Sequence, residues 1–175
     1  MGKRSMFDIS GKTAVITGGG GILCSEMARA LAREGVRVAI LDLNEAAASK
    51  VADEIRQEGG QAEAIPVNVL ERKSVEAARD TVMRQFGQVD ILINGAGGNK
   101  KEATAEKGFP FFDIPPEALA FVFNLNLLGT ILPSQVFGEV QAKQGTGNII
   151  NISSMAAMRP LTKTVAYYPR ECGCS

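Results

Sequence analysis

Apolar positions change their period repeatedly along the chain. Ala14, Val15, Ile16 and Thr17 form a short β-rich run, the pattern of a strand buried on both faces. Leu23, Met27, Ala30 and Leu31 then recur at helical spacing up to Gly35, which predicts an amphipathic helix with that stripe facing inward. A second apolar run covers 36–41 and ends at Asp42. Beyond it Asn44 is placed to cap a helix carrying Ala48, Val51 and Ile55 on one face, closed by Gly59 and Gly60. A strand over 62–69, a helix with Val75, Ala78, Val82 and Phe86 closed by Gly87, and a strand over 89–94 continue the alternation. Strands separated by helices of this length predict an α/β fold, a doubly wound parallel sheet with helices on both faces.

The rhythm breaks at 99–116, a charged stretch with Gly108, Pro110, Pro115 and Pro116 and no clear period. A loop this long in a compact domain is often functional, and its place after a strand's carboxyl end sets it over the ligand crevice. From Glu117 a long helix is expected through Phe121, Phe123 and Leu127 toward Val140, kinked at Pro133 and ended by 145–147, before a fifth strand over 148–153. No repeat or low-complexity tract is visible, so 1–175 reads as a single domain.

The glycine burst between the first strand and helix carries the first chemistry. Gly18, Gly19, Gly20 and Gly21 follow Thr17 and precede Ile22, where a backbone without Cβ atoms can approach a pyrophosphate and the helix N-terminus faces it. Asp42 stands where an acid accepts hydrogen bonds from an adenosine ribose. A carboxylate there repels the extra phosphate of NADP, and no arginine immediately follows, so NAD is the expected cofactor. Gly95, Ala96, Gly97 and Gly98 after the fourth strand point to the same crevice. These features identify the expected architecture as Rossmann-type.

Composition narrows the classes. Hydrophobic residues make up 45% and charged residues 22% of 175, ordinary for a globular protein, and 19 basic residues balance 19 acidic ones, against a nucleic-acid partner. The start lacks an apolar core long enough for a signal peptide, and no run is expected to reach the ~18 residues of a membrane span. The expected location is cytoplasmic, with no membrane partner. Cys24, Cys172 and Cys174 make no disulfide framework, and with no histidine anywhere no metal site is expected.

Four motifs in order resemble the short-chain dehydrogenase/reductase family: Thr17-Gly18 with its glycines, Asn94-Gly95-Ala96-Gly97, Asn126-Leu127-Leu128-Gly129, and Asn151-Ile152-Ser153-Ser154 followed by Tyr167 thirteen positions after Ser154. Within that family TGGGGILCSEMA, DILINGAGGN, FNLNLLGT and NIINISSM with RPLTK look most like the D-mannonate oxidoreductase (fructuronate reductase) branch. The resemblance implies reversible hydride transfer between NAD and a secondary alcohol of a sugar acid. Oxidising an alcohol needs a base for the hydroxyl proton, and Tyr167 is that candidate; Ser154 would hold the substrate oxygen and Asn126 would position a water relay. The cofactor set comprises Thr17, Gly18, Gly19, Gly20, Gly21, Ile22, Asp42, Asn68, Val69, Asn94, Gly95, Ala96 and Gly97. Arg159, Lys100 and Lys163 are candidate cations for a substrate carboxylate.

Several positions depart from the family pattern. The glycine turn is one residue shorter than the common form, with Leu23 or Cys24 where a third glycine is usual. Gly95 replaces a usual asparagine, and Asn68 a usual aspartate, although its side-chain carbonyl can still accept from an adenine amino group. Glu171 occupies the place of a lysine that would lower the tyrosine pKa, and a carboxylate there acts in the opposite sense. The expectation is a C-terminally truncated chain with C-terminal strands missing, a divergent tail over 168–175, an incomplete homo-oligomer interface, an apolar sheet edge at the fifth strand and doubtful turnover. The alternatives are a catalytically inactive NAD-binding remnant, or a reductase for another substrate such as gluconate or a 3-oxoacyl group.

Overall fold

The structure is a computed structural model that describes residues 8–154. Its elements are β1 (Thr13–Thr17), α1 (Ile22–Arg33), β2 (Arg37–Asp42), α2 (Glu45–Gln57), β3 (Ala62–Pro66), α3 (Arg72–Phe86), β4 (Ile91–Asn94), α4 (Pro116–Gln144) and β5 (Asn148–Asn151). Two 3-10 turns, Lys101–Ala103 and Phe111–Asp113, lie between β4 and α4. The five strands form one parallel sheet in the order β3-β2-β1-β4-β5. The order reverses between β1 and β4, and in sheets of this Rossmann type the ligand crevice opens there, at the carboxyl ends of the strands.

The continuous apolar runs follow from the two covered faces. Ala14 and Ile16 of β1 join Val38 and Ile40 of β2 against Cys24, Ala28, Ala48, Val51 and Ile55 of α1 and α2. Val15, between them, faces the other way with Ala39, Leu41 and Leu92 against Val75, Ala78 and Val82 of α3 and Val136 and Phe137 of α4. Every residue of β1 is buried, so alternation of faces produces no alternation of polarity. Asn44 caps α2 as expected, its side chain accepting the Ala47 N–H at 3.1 Å. Gly87 and Gly145 end α3 and α4 in the left-handed conformation.

Some expected boundaries and faces move. β3 stops at Pro66 instead of reaching 69; the Val67 N–H still reaches the Asp42 carbonyl at 2.9 Å, after which the chain turns away. β4 starts at Ile91 instead of 89 because the Gln144 side-chain amide takes over at Val89, accepting its N–H and donating to its carbonyl, both at 2.9 Å. β5 ends at Asn151, with one further bond from the Ile152 N–H to the Asn94 carbonyl. α1 turns a different face inward from the one its larger residues suggest. Leu23 is 67% exposed and Ala30 is also exposed, while Cys24, Ser25 and Ala28 are buried, with Met27 and Leu31 at the margin. Small side chains let the helix approach the sheet closely.

α4 runs without interruption through Pro133. By length and composition a stretch of it is apolar enough to cross a membrane, which corrects the expectation that no segment would be. One side of it nevertheless serves the protein core: Val122, Asn126, Thr130, Val136, Phe137 and Gln141 are buried. Phe123, Leu128 and Ile131 remain exposed, as do Ile149 and Ile150 of β5. Among the described residues β5 pairs only with β4.

Candidate functional site

A crevice of about 600 Å³ opens at the β1–β4 reversal, lined by Gly18, Gly21 to Cys24, Asp42, Leu43, Val67 to Leu70, Gly95 to Gly97, Phe121 and Leu125. Its floor is the turn between β1 and α1. Gly18 has φ +66°, and a Cβ there would lie 2.9 Å from the Ala96 backbone, so the position demands glycine twice over. The Gly19 N–H reaches the Leu41 carbonyl at 3.0 Å, stitching the turn to the end of β2. The Gly20 N–H donates to Asp42 Oδ2 and the Asn44 N–H to Asp42 Oδ1, each at 2.9 Å. The carboxylate is therefore fixed at the crevice wall by backbone on either side.

Gly21 caps α1 without a side-chain hydrogen bond, and the first residues of the helix line the crevice. The helix end thus offers partial positive charge to the cavity. Among the described residues it is the main attraction for an anion on the floor, because their part of the lining includes the Asp42 carboxylate and no lysine or arginine. Just beyond β3, Asn68 shapes the wall: its Oδ1 accepts the Leu70 N–H at 3.1 Å and its Nδ2 donates to Glu71 Oε1 at 2.8 Å.

The second glycine turn is tied to the first from below. Thr17 is fully buried, and its Oγ1 accepts the N–H groups of Gly95 and Ala96, each at 3.2 Å. An added Cβ on Gly95 would collide with Cys24 Sγ. Two departures from the family pattern therefore fit one another: a thiol at the helix start occupies the space that a side chain at 95 would need.

The structure brings Gly18, Gly21, Ile22, Asp42, Asn68, Val69, Gly95, Ala96 and Gly97 together around one cavity. Thr17, Gly19 and Gly20 brace it from outside. Asn94 is not a lining residue: it is fully buried and its Nδ2 donates to Ser134 Oγ and Asn151 Oδ1, both at 2.9 Å, joining β4, α4 and β5. Asn126 is likewise fully buried, and its amide clamps Gly98, accepting its N–H at 2.8 Å and donating to its carbonyl at 2.7 Å. Ser154 is half-buried just beyond β5. Lys100 stands at the start of the first 3-10 turn, its Nζ 5.3 Å from the centre of the Phe121 ring. Tyr167, Arg159, Lys163, Glu171, Cys172 and Cys174 lie outside the described residues. The apolar walls Leu43, Leu70, Phe121 and Leu125 belong to none of the motifs read from the sequence; a leucine directly after the strand-ending acid is the one hint it offers.

Residues 12–168 match the short chain dehydrogenase family. The chain belongs to this family. It is 48% identical over 171 residues to an uncharacterized oxidoreductase of Haemophilus influenzae, covering 91% of this chain and 60% of that protein. The crystal structure of a candidate D-mannonate oxidoreductase from Haemophilus influenzae with bound NAD is similar at a TM-score of 0.90 and 46% identity, over 95% of this chain and 63% of that one. NAD-bound xylitol dehydrogenase aligns at a TM-score of 0.86 and 31% identity, over 93% and 60%. The chain thus spans about three fifths of the length of these members of the family.

Proposed function

We propose that the crevice binds NAD, and that the protein is an oxidoreductase moving a hydride between the nicotinamide and a secondary alcohol or ketone of a sugar acid. The observation that carries the reading is the fixed Asp42 carboxylate facing an uncapped helix N-terminus across glycine backbone. The residues suit the group in three ways. Backbone N–H groups and the end of α1 would hold a pyrophosphate, the free lone pairs of Asp42 would accept from ribose hydroxyls, and Leu43, Val67 and Val69 offer apolar walls to a flat base. A phosphate on the ribose would meet the Asp42 charge, so NAD is favoured over NADP.

NAD, when bound, supplies the hydride acceptor. The chain's own part is to orient and to move a proton: Ser154 is assigned to hold the substrate oxygen and Tyr167 to exchange the hydroxyl proton. The sugar-acid reading is supported by likeness to the NAD-bound candidate D-mannonate oxidoreductase. A second reading, a nucleotide-binding protein without turnover, is favoured by Glu171 where the family pattern has lysine.

Titration with NADH, followed by its own fluorescence and by competition with NAD and NADP, tests the cofactor. Preference for NAD by at least about tenfold is expected, and tighter NADP binding refutes it. NADH formation with D-mannonate then tests the substrate. Activity only with another alcohol removes the sugar-acid assignment, and binding without any turnover selects the second reading.

A further inference from the structure

Among the described residues the crevice lining holds no cation, yet one stands beside it. Lys100 Nζ lies over the face of Phe121, and Phe121 is itself part of the lining. The ring's negative face attracts the ammonium and restricts where it goes. The backbone beneath it is anchored as well. The Lys100 carbonyl accepts the Ala103 N–H at 2.9 Å and the Thr104 hydroxyl at 3.2 Å. Ala103 is fully buried in a small cluster with Ala118 and Val122 of α4, and the Asn99 amide donates to Thr104 Oγ1 at 2.7 Å. Lys100 is thus carried on a pinned turn rather than on a loose loop.

Its neighbour Lys101 has the Glu106 carboxylate at 4.0 Å. Among the described residues Lys100 has no carboxylate within ion-pair distance, and its ammonium lies over the aromatic ring. We infer that Lys100, posed on Phe121 beside the crevice, is the specificity residue that receives the carboxylate of an acidic substrate. The inference rests on the oxidoreductase reading above and names the substrate feature that the site selects. The arrangement suits such a molecule in both its parts. The ammonium pairs with the carboxylate, and the ring edge and Leu125 border the carbon chain.

The same cation could serve a cofactor phosphate, so the test separates the two sources of negative charge. Calorimetric titration of the full chain with NADH comes first; D-mannonate or the uncharged polyol D-mannitol is then titrated into the NADH-saturated protein, where no turnover occurs. For the unaltered chain, D-mannonate is expected to bind more tightly than D-mannitol. Lys100→Ala is expected to weaken D-mannonate roughly 10- to 100-fold, the range for losing one charge-assisted hydrogen bond. Its affinities for NADH and D-mannitol should stay within about twofold, and Lys100→Arg, which keeps the charge and stacks on the ring, should restore most of the loss. Equal D-mannonate binding by the Ala variant overturns the inference, as does D-mannonate binding no tighter than D-mannitol. A loss confined to NADH also overturns it and assigns the lysine to a phosphate. NADH failing to bind the unaltered chain refutes the nucleotide reading of the crevice and the carboxylate role that rests on it.

Discussion

Gly95→Ala probes whether the two glycine turns are fitted to each other through Cys24. Gly95 has no positive φ, so alanine is conformationally permitted and the cost is steric. The new methyl would overlap Cys24 Sγ and lie 2.9 Å from the Thr17 carbonyl oxygen. Cys24 is 5% exposed, and the Thr17 carbonyl belongs to the central strand, so neither yields freely. Overpacking of this kind costs about 1–3 kcal/mol. The smaller entropy of the unfolded alanine chain returns roughly 0.4–1 kcal/mol of it, leaving a net loss of about 1–2 kcal/mol. Cys24→Ala alone should cost about 1 kcal/mol for the buried sulfur it removes. In the double variant the sulfur clash is absent and only the Thr17 contact remains. The two losses should then fall short of additivity by about 1 kcal/mol. Urea denaturation followed by far-UV circular dichroism gives the midpoints, compared at unchanged slope. Strict additivity, or a neutral Gly95→Ala, refutes the idea that the thiol fills the space left by the glycine.

Asp90→Asn tests a half-buried charge at the other end of the sheet. Burial pushes the Asp90 carboxyl up, but the Thr13 N–H at 2.8 Å, the Gln88 amide at 2.7 Å and Lys12 at 3.3 Å outweigh it and hold the group below the usual carboxylate range. Its stabilisation is complete above the unfolded value near ~4 and is lost as the pH falls through the lower folded value. The variant should lose about 1–2 kcal/mol at neutral pH, and the gap should close in acid; a gap that is constant with pH counts against the reasoning. Asn126→Ala removes both bonds to Gly98 and should cost roughly 2 kcal/mol, with faster amide exchange at Gly98 by mass spectrometry; unchanged exchange would show that the clamp is dispensable. Asn44→Ala removes the α2 cap and should lower stability by about 1 kcal/mol, readable as a shift in urea midpoint, and no shift would place the helix start under other control.

The alternation of strands and helices was legible because each buried run has the period its element requires. Ala14 to Thr17 is apolar and β-rich because both sheet faces are covered, and Val75, Ala78 and Val82 recur as a helix face must. Boundaries were less legible where a distant side chain does the work of a strand. Nothing near Val89 shows that Gln144 will bond it from the far end of α4. The inward face of α1 was misread because large apolar residues were given the core, whereas close approach to the sheet selects Cys24, Ser25 and Ala28 and leaves Leu23 for the crevice. At the site, the glycine turn and Asp42 could be located from order and spacing. The direction of a buried amide could not, since Asn94 and Asn126 occupy motif positions either way and only their partners Ser134, Asn151 and Gly98 show them turned inward as braces.

The bond from the Gly20 N–H to Asp42 makes turn geometry and the proposed cofactor selectivity of Asp42 a single design variable. Replacing the acid with a residue that cannot accept would also remove one of the turn's two ties to β2, leaving the Gly19 bond to the Leu41 carbonyl to hold it alone. A redesign toward NADP therefore has to begin with a neutral acceptor at 42, one that still holds Gly20, and place new positive charge elsewhere on the wall.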